Sequence, residues 1–251
     1  MRELEYDRRG SGEPLILIHS LGTDRHVWAP VLDRLARERD VIALDLPGFG
    51  ASPELENGSP PSPARLAAAV AHLAGSLGLE RPHVAGNSLG GWVALELALA
   101  GGARSATAIA PAGLWPRALG PKPTPARRAA RAALPALSLV LASTGARRLA
   151  LTATMAHPER VPRDDAVQLV RAYAEGPGYE TVNAAMRAGR FEDLGRIDVP
   201  VTLAWPDRDR LVARPAHLPA NVTNVVLQDC GHVPMWDDPA QVAGVLLRGS
   251  R

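Results

Sequence analysis

Through the first 110 residues, short aliphatic runs alternate with stretches of helical periodicity. Leu15-Ile16-Leu17-Ile18, Val41-Ile42-Ala43-Leu44, His83-Val84-Ala85 and residues 105–110 are too short for helices and carry apolar residues with little polar alternation. That is the pattern of strands covered on both faces of a parallel sheet. Between them, 27–39 places Val31, Leu32 and Leu35 on one side of a helix. Residues 62–77 predict a second helix with Ser62 as N-cap and Pro63 in its first position, and 91–100 predict an apolar third. The expected fold is α/β, with a mostly parallel central sheet flanked by helices.

After Pro111 the rhythm stops. Residues 112–190 contain helical patterns at 127–134, 136–142, 147–155 and 164–174, interrupted by prolines, and no convincing strand. Strands resume at 199–205 and at Val225-Val226-Leu227, and a last helix follows Pro239. The expected organisation is a core domain formed by 1–111 and 191–251, carrying a helical insertion over 112–190.

Composition narrows the chemistry. The chain has 251 residues, 46% apolar and 22% charged, enough for one domain with a substantial core and too apolar for a disordered segment. Cys230 is the only cysteine, which excludes a disulfide framework and a cysteine-rich zinc site. Lys122, in a proline-rich stretch, is the only lysine beside 27 arginines, which argues against Schiff-base and P-loop chemistry. A net charge of +2 is a weak field and aromatics make up only 4%, so nucleic acid is not an expected partner. The longest apolar stretch, 132–142, contains Pro135 and falls far short of the ~20 residues of a membrane span. With alternating charge at the start and no apolar segment behind it, the expected location is the cytoplasm, away from the membrane.

Gly86-Asn87-Ser88-Leu89-Gly90 falls between an expected strand and an expected helix. A serine at the tip of so tight a turn occupies strained backbone, and small neighbours let chain segments pass closely. The turn also points the helix N-terminus, with its unpaired N–H groups, toward whatever Ser88 attacks. Four further segments occur in order along the chain: His19-Ser20-Leu21-Gly22, Asp45-Leu46-Pro47-Gly48-Phe49-Gly50-Ala51-Ser52, Trp205-Pro206-Asp207-Arg208-Asp209 and Gly231-His232-Val233-Pro234. Together with the Ser88 turn they resemble the alpha/beta-hydrolase family over the whole chain, with an esterase or enol-lactonase flavour in Ser20-Leu21-Gly22-Thr23.

The resemblance implies a nucleophile, acid and histidine in that chain order. It assigns Ser88 as nucleophile and His232, the last histidine, as its base. Asp209 aligns as the acid, with Asp207 as the alternative; no Asp or Glu lies between Glu96 and Glu159, so the position after the preceding strand is empty. Pro206 replaces the glycine usual in that turn. The backbone N–H groups of Leu21 and Leu89 are the expected oxyanion donors. Asp237 and Asp238 read as charges capping the last helix, His19 as a residue shaping its loop, and His26 as a residue near the pocket. Cys230 reads as a small buried residue.

Serine at 88 argues against the haloalkane dehalogenases and epoxide hydrolases of the family, which use aspartate there, and against its cysteine-using dienelactone hydrolases. The expected activity is hydrolysis of a small carboxylic ester or lactone, with no cofactor and no metal. Hydrolysis of C–C bonds in ring-cleavage products is the alternative, although Val233 stands where those enzymes commonly carry tryptophan. A lyase, a cyclase or a ligand receptor on the same fold also stays open. The insertion resembles the family's helical cap, with twelve basic residues against five acidic ones. That excess reads first as solvated helix faces, and second as a field for an anionic substrate. Leu137, Leu139, Val140 and Leu141 are candidates for an apolar pocket wall or for core packing.

Overall fold

The computed structural model describes residues 3–55, 60–121 and 123–251, which leaves Lys122 outside the described residues. Seven strands form one sheet: β1 (Tyr6–Gly10), β2 (Glu13–Ile18), β3 (Arg39–Leu44), β4 (His83–Asn87), β5 (Ser105–Ile109), β6 (Val201–Pro206) and β7 (Val222–Leu227). Their order is β1-β3-β2-β4-β5-β6-β7, with only β1 antiparallel to its neighbour. The aliphatic runs form the central strands for the reason the pattern implied. Ile16, Ile18, Ile42 and Leu44 enter a core on one face, and Leu15, Leu17, Val41 and Ala43 enter a core on the other.

Helices cover both faces. On one side lie α1 (Ala29–Leu35) and the last helix, Pro239–Gly249; on the other lie α2 (Pro63–Ser76) and α3 (Leu89–Leu99). The α1 helix is shorter than its apolar spacing predicts. Its first turn is a 3₁₀ turn over Arg25–Trp28, held by Asp24, which accepts from the His26 amide at 3.0 Å. At its other end the chain must turn back after Ala36 to begin β3 at Arg39. The α2 helix starts as expected, with the Ser62 side chain accepting from the Arg65 amide.

Between β5 and β6 the chain forms α4 (Pro125–Ala133), α5 (Leu137–Val140), α6 (Thr144–Leu151), α7 (Arg163–Glu175) and α8 (Tyr179–Ala188), and no strand among the described residues. The two ends of this stretch meet where the Phe191 amide donates to the Gly113 carbonyl at 2.9 Å. Helix α8 had no signal in the sequence reading. Thr181, Val182 and Asn183 are poor helix formers, and burial of Tyr179, Val182 and Met186 on one face holds the helix instead. Strand β1 gives no such signal either, because Asp7, Arg8 and Arg9 follow one another where alternating apolar residues would mark a strand. Arg8 grips Asp40 of β3 through Nε at 2.9 Å and Nη2 at 2.6 Å. Charge of this kind on an edge strand discourages pairing with a foreign strand. The last helix, Pro239–Gly249, is α9.

The helix-cap assignment at Ser62 predicts that Ser62→Ala costs about 1 kcal/mol. Urea unfolding followed by circular dichroism measures this as a lower midpoint at unchanged slope.

Candidate active site

Ser88 stands between β4 and α3 with φ +56° and ψ −115°, a backbone conformation few non-glycine residues adopt. Its backbone is fully engaged. The amide donates to the Ile109 carbonyl at 2.8 Å, and its carbonyl accepts from Trp92 at 3.1 Å and Ala112 at 3.0 Å. The crowding that forces this turn is visible at two glycines. A Cβ on Gly86 would collide with the Gly90 carbonyl, and one on Gly90 with the carbonyls of Ile18 and His19. The end of β2 therefore lies directly against the first turn of α3.

Asp209 follows β6 and His232 follows β7, and the two side chains meet. His232 Nδ1 lies 2.7 Å from Asp209 Oδ2, with both side chains buried. The other carboxylate oxygen accepts from the amides of Leu211 at 2.7 Å and Val212 at 3.1 Å. Because the carboxylate only accepts, Nδ1 carries the proton and Nε2 is left with a lone pair. Asp207 turns elsewhere: its Oδ1 accepts from the Cys230 amide at 3.2 Å, tying the loop after β6 to the loop after β7.

Among the described residues no hydrogen bond joins the Ser88 hydroxyl to the imidazole. The two loops are nevertheless fastened together through a residue the sequence reading did not single out. Asn87 Nδ2 donates to the His232 carbonyl at 2.9 Å and to the Ile109 carbonyl at 3.2 Å. The amides of Leu21 and Leu89 have no hydrogen-bond partner among the described residues. Leu21 sits in a tight loop in which Thr23 donates to the Ser20 carbonyl and Gly22 has φ +77°. Tyr173 and Tyr179 of the insertion press on this loop, where a Cβ on Gly22 would stand 2.8 and 2.9 Å from their rings.

His19 shapes its loop, as expected: Nδ1 pairs with the Ser20 carbonyl at 2.8 Å and Nε2 accepts from the Leu46 amide at 2.9 Å. Burial lowers its pKa below the ordinary histidine value. His26 points to the insertion, where Nε2 meets Asp165 at 2.9 Å. Asp238 caps α9 by accepting from the Gln241 amide at 2.9 Å. Asp237 does not cap it. Its carboxylate is buried and accepts from the amides of Gly231, Ala156 and His157. In the insertion, Leu137 and Leu141 are buried in the core, whereas Leu139 and Val140 are exposed.

A cleft of about 490 Å³ lies between the core and α7, lined by Arg9, Asp24, Arg25, Gln168, Arg171 and Glu175 among others. Neither Ser88, Asp209 nor His232 lines it. Its charges are already engaged: Arg25 pairs with Asp45 and with Asp7, and Gln168 donates to Asp24 at 2.8 Å. Among the described residues no cluster of three or more His, Cys, Asp or Glu could hold a metal ion, and no helix is long and apolar enough to cross a membrane.

The profile of the alpha/beta hydrolase family matches residues 15–245, almost the whole chain. The chain belongs to the alpha/beta hydrolase family. It is 33% identical over 184 residues to the epoxide hydrolase EphH of Mycobacterium tuberculosis (strain ATCC 25618 / H37Rv), covering 68% of this chain and 86% of that relative. The solved structures that share its fold include two named for their activity. The enol-lactonase of Burkholderia xenovorans LB400 is 24% identical with a TM-score of 0.78, covering 98% of this chain and 95% of that one. A thermophilic esterase from Thermogutta terrifontis is 21% identical with a TM-score of 0.72, covering 98% and 92%. This alpha/beta hydrolase thus keeps the family's sheet, flanking helices and strand-end loops.

Two expectations follow from this geometry. Gly90→Ala costs about 3 kcal/mol, because the clashing atoms are backbone, and lowers Tm by roughly 6–12 °C in scanning calorimetry. Burial and the surrounding carboxylates push the Cys230 thiol up to about 12. At pH 8 the native protein therefore leaves a chromogenic disulfide reagent untouched, and one thiol reacts after denaturation.

Proposed function

We propose that this protein is a serine hydrolase that cleaves a carboxylic ester or lactone of a small organic substrate through an acyl-enzyme on Ser88. The observation that carries this reading is the buried 2.7 Å contact between His232 Nδ1 and Asp209, in a loop fastened beside the Ser88 turn. It leaves Nε2 free to take the hydroxyl proton. The Ser88 oxygen attacks the carbonyl carbon while Nε2 accepts its proton. The oxyanion receives the unpaired amides of Leu21 and Leu89, and the second of these stands at the positive end of α3. Collapse breaks the C–O bond, and the imidazolium protonates the departing alkoxide. Water, deprotonated by the same imidazole, then attacks the acyl-enzyme and releases the acid.

The open Ser88–imidazole bond accords with this mechanism, since catalytic hydrogen bonds are often long before substrate binds. Asp209 is the triad acid and Asp207 a tie between loops. Residues 112–190 act as the cap, with Tyr173 and Tyr179 closing over the loop that carries Leu21. Their arginines are engaged largely in holding carbonyls: Arg127 bonds Tyr173 and Gly176, Arg163 bonds Ser138, and Arg187 bonds Gly120. That favours a scaffolding role over a field for anionic substrates.

Epoxide hydrolysis fits this nucleophile poorly, despite the relative's name. Ring opening by a serine oxygen would leave an alkyl ether, with no carbonyl for water to attack. A carboxylate nucleophile leaves an ester that water can cleave. Ester chemistry returns the serine at every turnover.

A fluorophosphonate probe and short p-nitrophenyl esters test the reading. Ser88 is expected to be labelled, Ser88→Ala to lose both labelling and turnover, and Asp209→Asn to lower kcat by ~10⁴. Asp207→Asn is expected to stay within about tenfold of the parent. A wild-type protein that neither labels nor turns over any ester removes the proposal, and loss confined to Asp207→Asn reverses the acid assignment.

A further inference from the structure

The turn that carries His232 is held at three consecutive residues, and two of the three bonds lead into or through the helical insertion. The Gly231 amide donates to Asp237 Oδ2 at 2.7 Å, the His232 carbonyl accepts from Asn87, and the Val233 amide donates to the Thr154 carbonyl at 2.8 Å. Asp237 Oδ2 accepts as well from the Ala156 amide at 3.0 Å, and Oδ1 from the His157 amide at 2.7 Å. The Asp237 backbone carbonyl accepts from Arg160 Nη1 at 3.0 Å. One carboxylate, 3% exposed, thus collects three backbone N–H groups from two segments far apart in sequence. The approach is close enough to require glycine at 231, where a Cβ would stand 2.7 Å from the Ala156 nitrogen and the Met155 carbonyl carbon.

We propose that Asp237 is a positioning residue: it fastens residues 154–157 of the insertion to the His232 turn, so that the place of the imidazole is set by the attachment of the insertion. This rests on His232 being the base of the proposed hydrolase. Three N–H donors on one buried group call for an ionised acceptor, since charge-assisted bonds are the strong ones and a buried donor without a partner is costly. Asparagine in its place offers one oxygen and turns an NH₂ group toward an N–H. The orientation that keeps its oxygen on Gly231 and Ala156 turns the NH₂ group on the His157 amide, and the other leaves Gly231 and Ala156 unpaired; either way a buried N–H loses its partner and the remaining bonds lose the charge that strengthened them. The insertion accordingly does not swing free at this end. Any opening of the cap that lifted residues 154–157 would carry the histidine with it, so substrate passes where the insertion is less firmly bound to the catalytic loops.

The test compares Asp237→Asn with Asp238→Ala. The second removes the cap of the same helix, α9, while leaving the fastening intact. With p-nitrophenyl acetate, Asp237→Asn is expected to lower kcat about 100-fold with KM within about threefold. The low-field proton resonance of His232 Nδ1–H broadens or disappears. Asp238→Ala loses thermal stability with kcat and the resonance unchanged. Hydrogen exchange gives a readout independent of activity: in Asp237→Asn, amides of 154–157 and of 229–233 exchange about tenfold faster or more, together. In the unaltered protein, the amides of Ala156, His157 and Gly231 are expected to open at one common rate, which decides the matter even if the variant does not fold. Wild-type kcat in Asp237→Asn, faster exchange confined to one segment, or unrelated opening rates in the unaltered protein would overturn the proposal. A wild-type protein inert to esters and to fluorophosphonate removes the hydrolase reading instead, and the exchange data still judge the fastening.

Discussion

The contact on which the rest of the site depends is the one between backbones at the end of β2 and the start of α3. Gly90 lies so close to the carbonyls of Ile18 and His19 that no side chain fits, and Gly86 meets the Gly90 carbonyl in the same way. That approach has three consequences at once. It bends the chain sharply enough to put Ser88 at positive φ. It also aims the N-terminus of α3 outward from the C-terminal edge of the sheet, and it brings the start of the loop that carries Leu21 against the first turn of α3. A charge developing near the serine would meet fixed dipoles that need no rearrangement, which is the condition under which such groups act most strongly.

The division of labour between the acidic residues follows from what surrounds each. Asp209 presents one oxygen to the imidazole and the other to two amides of its own turn, so its orientation is fixed before any ligand arrives. Asp207, two residues earlier, spends its carboxylate on the Cys230 amide. Asp45, fully buried, gathers the amides of Arg25 and Ala51 together with the Arg25 guanidinium. In each case a carboxylate organises loop backbone that no sheet or helix could organise. The arginines of the insertion do the converse, supplying donors to carbonyls at helix ends and in loops.

How far the sequence carried the reading depended on whether the signal was local. The buried parallel strands are legible because both of their faces must be apolar, and the Ser88 turn because glycine at 86 and 90 is demanded by backbone contact. Strand β1 was not legible: an edge strand built from Asp7, Arg8 and Arg9 has no apolar face to show. Helix α8 was not legible either, since packing of Tyr179, Val182 and Met186 overrides a weak local propensity. Asp237 and Asp238 are neighbours just ahead of the same proline and looked alike, yet one caps α9 and the other is enclosed by a segment eighty residues away. Asn87 likewise gave no signal, because its partner, the His232 carbonyl, is brought to it only by the fold. Tertiary partners of this kind leave no trace in spacing.

The positive φ at residue 88 also filters which side chains the elbow will accept. β-Branched residues are severely disfavoured in that region of backbone space, whereas small or short polar ones such as asparagine and aspartate enter it more readily. Threonine therefore cannot stand in for serine here, although its hydroxyl is chemically equivalent. Aspartate, with quite different chemistry, has no β-branch and meets a smaller barrier. On this backbone aspartate is a smaller conformational step from serine than threonine is, although threonine is the nearer chemical relative.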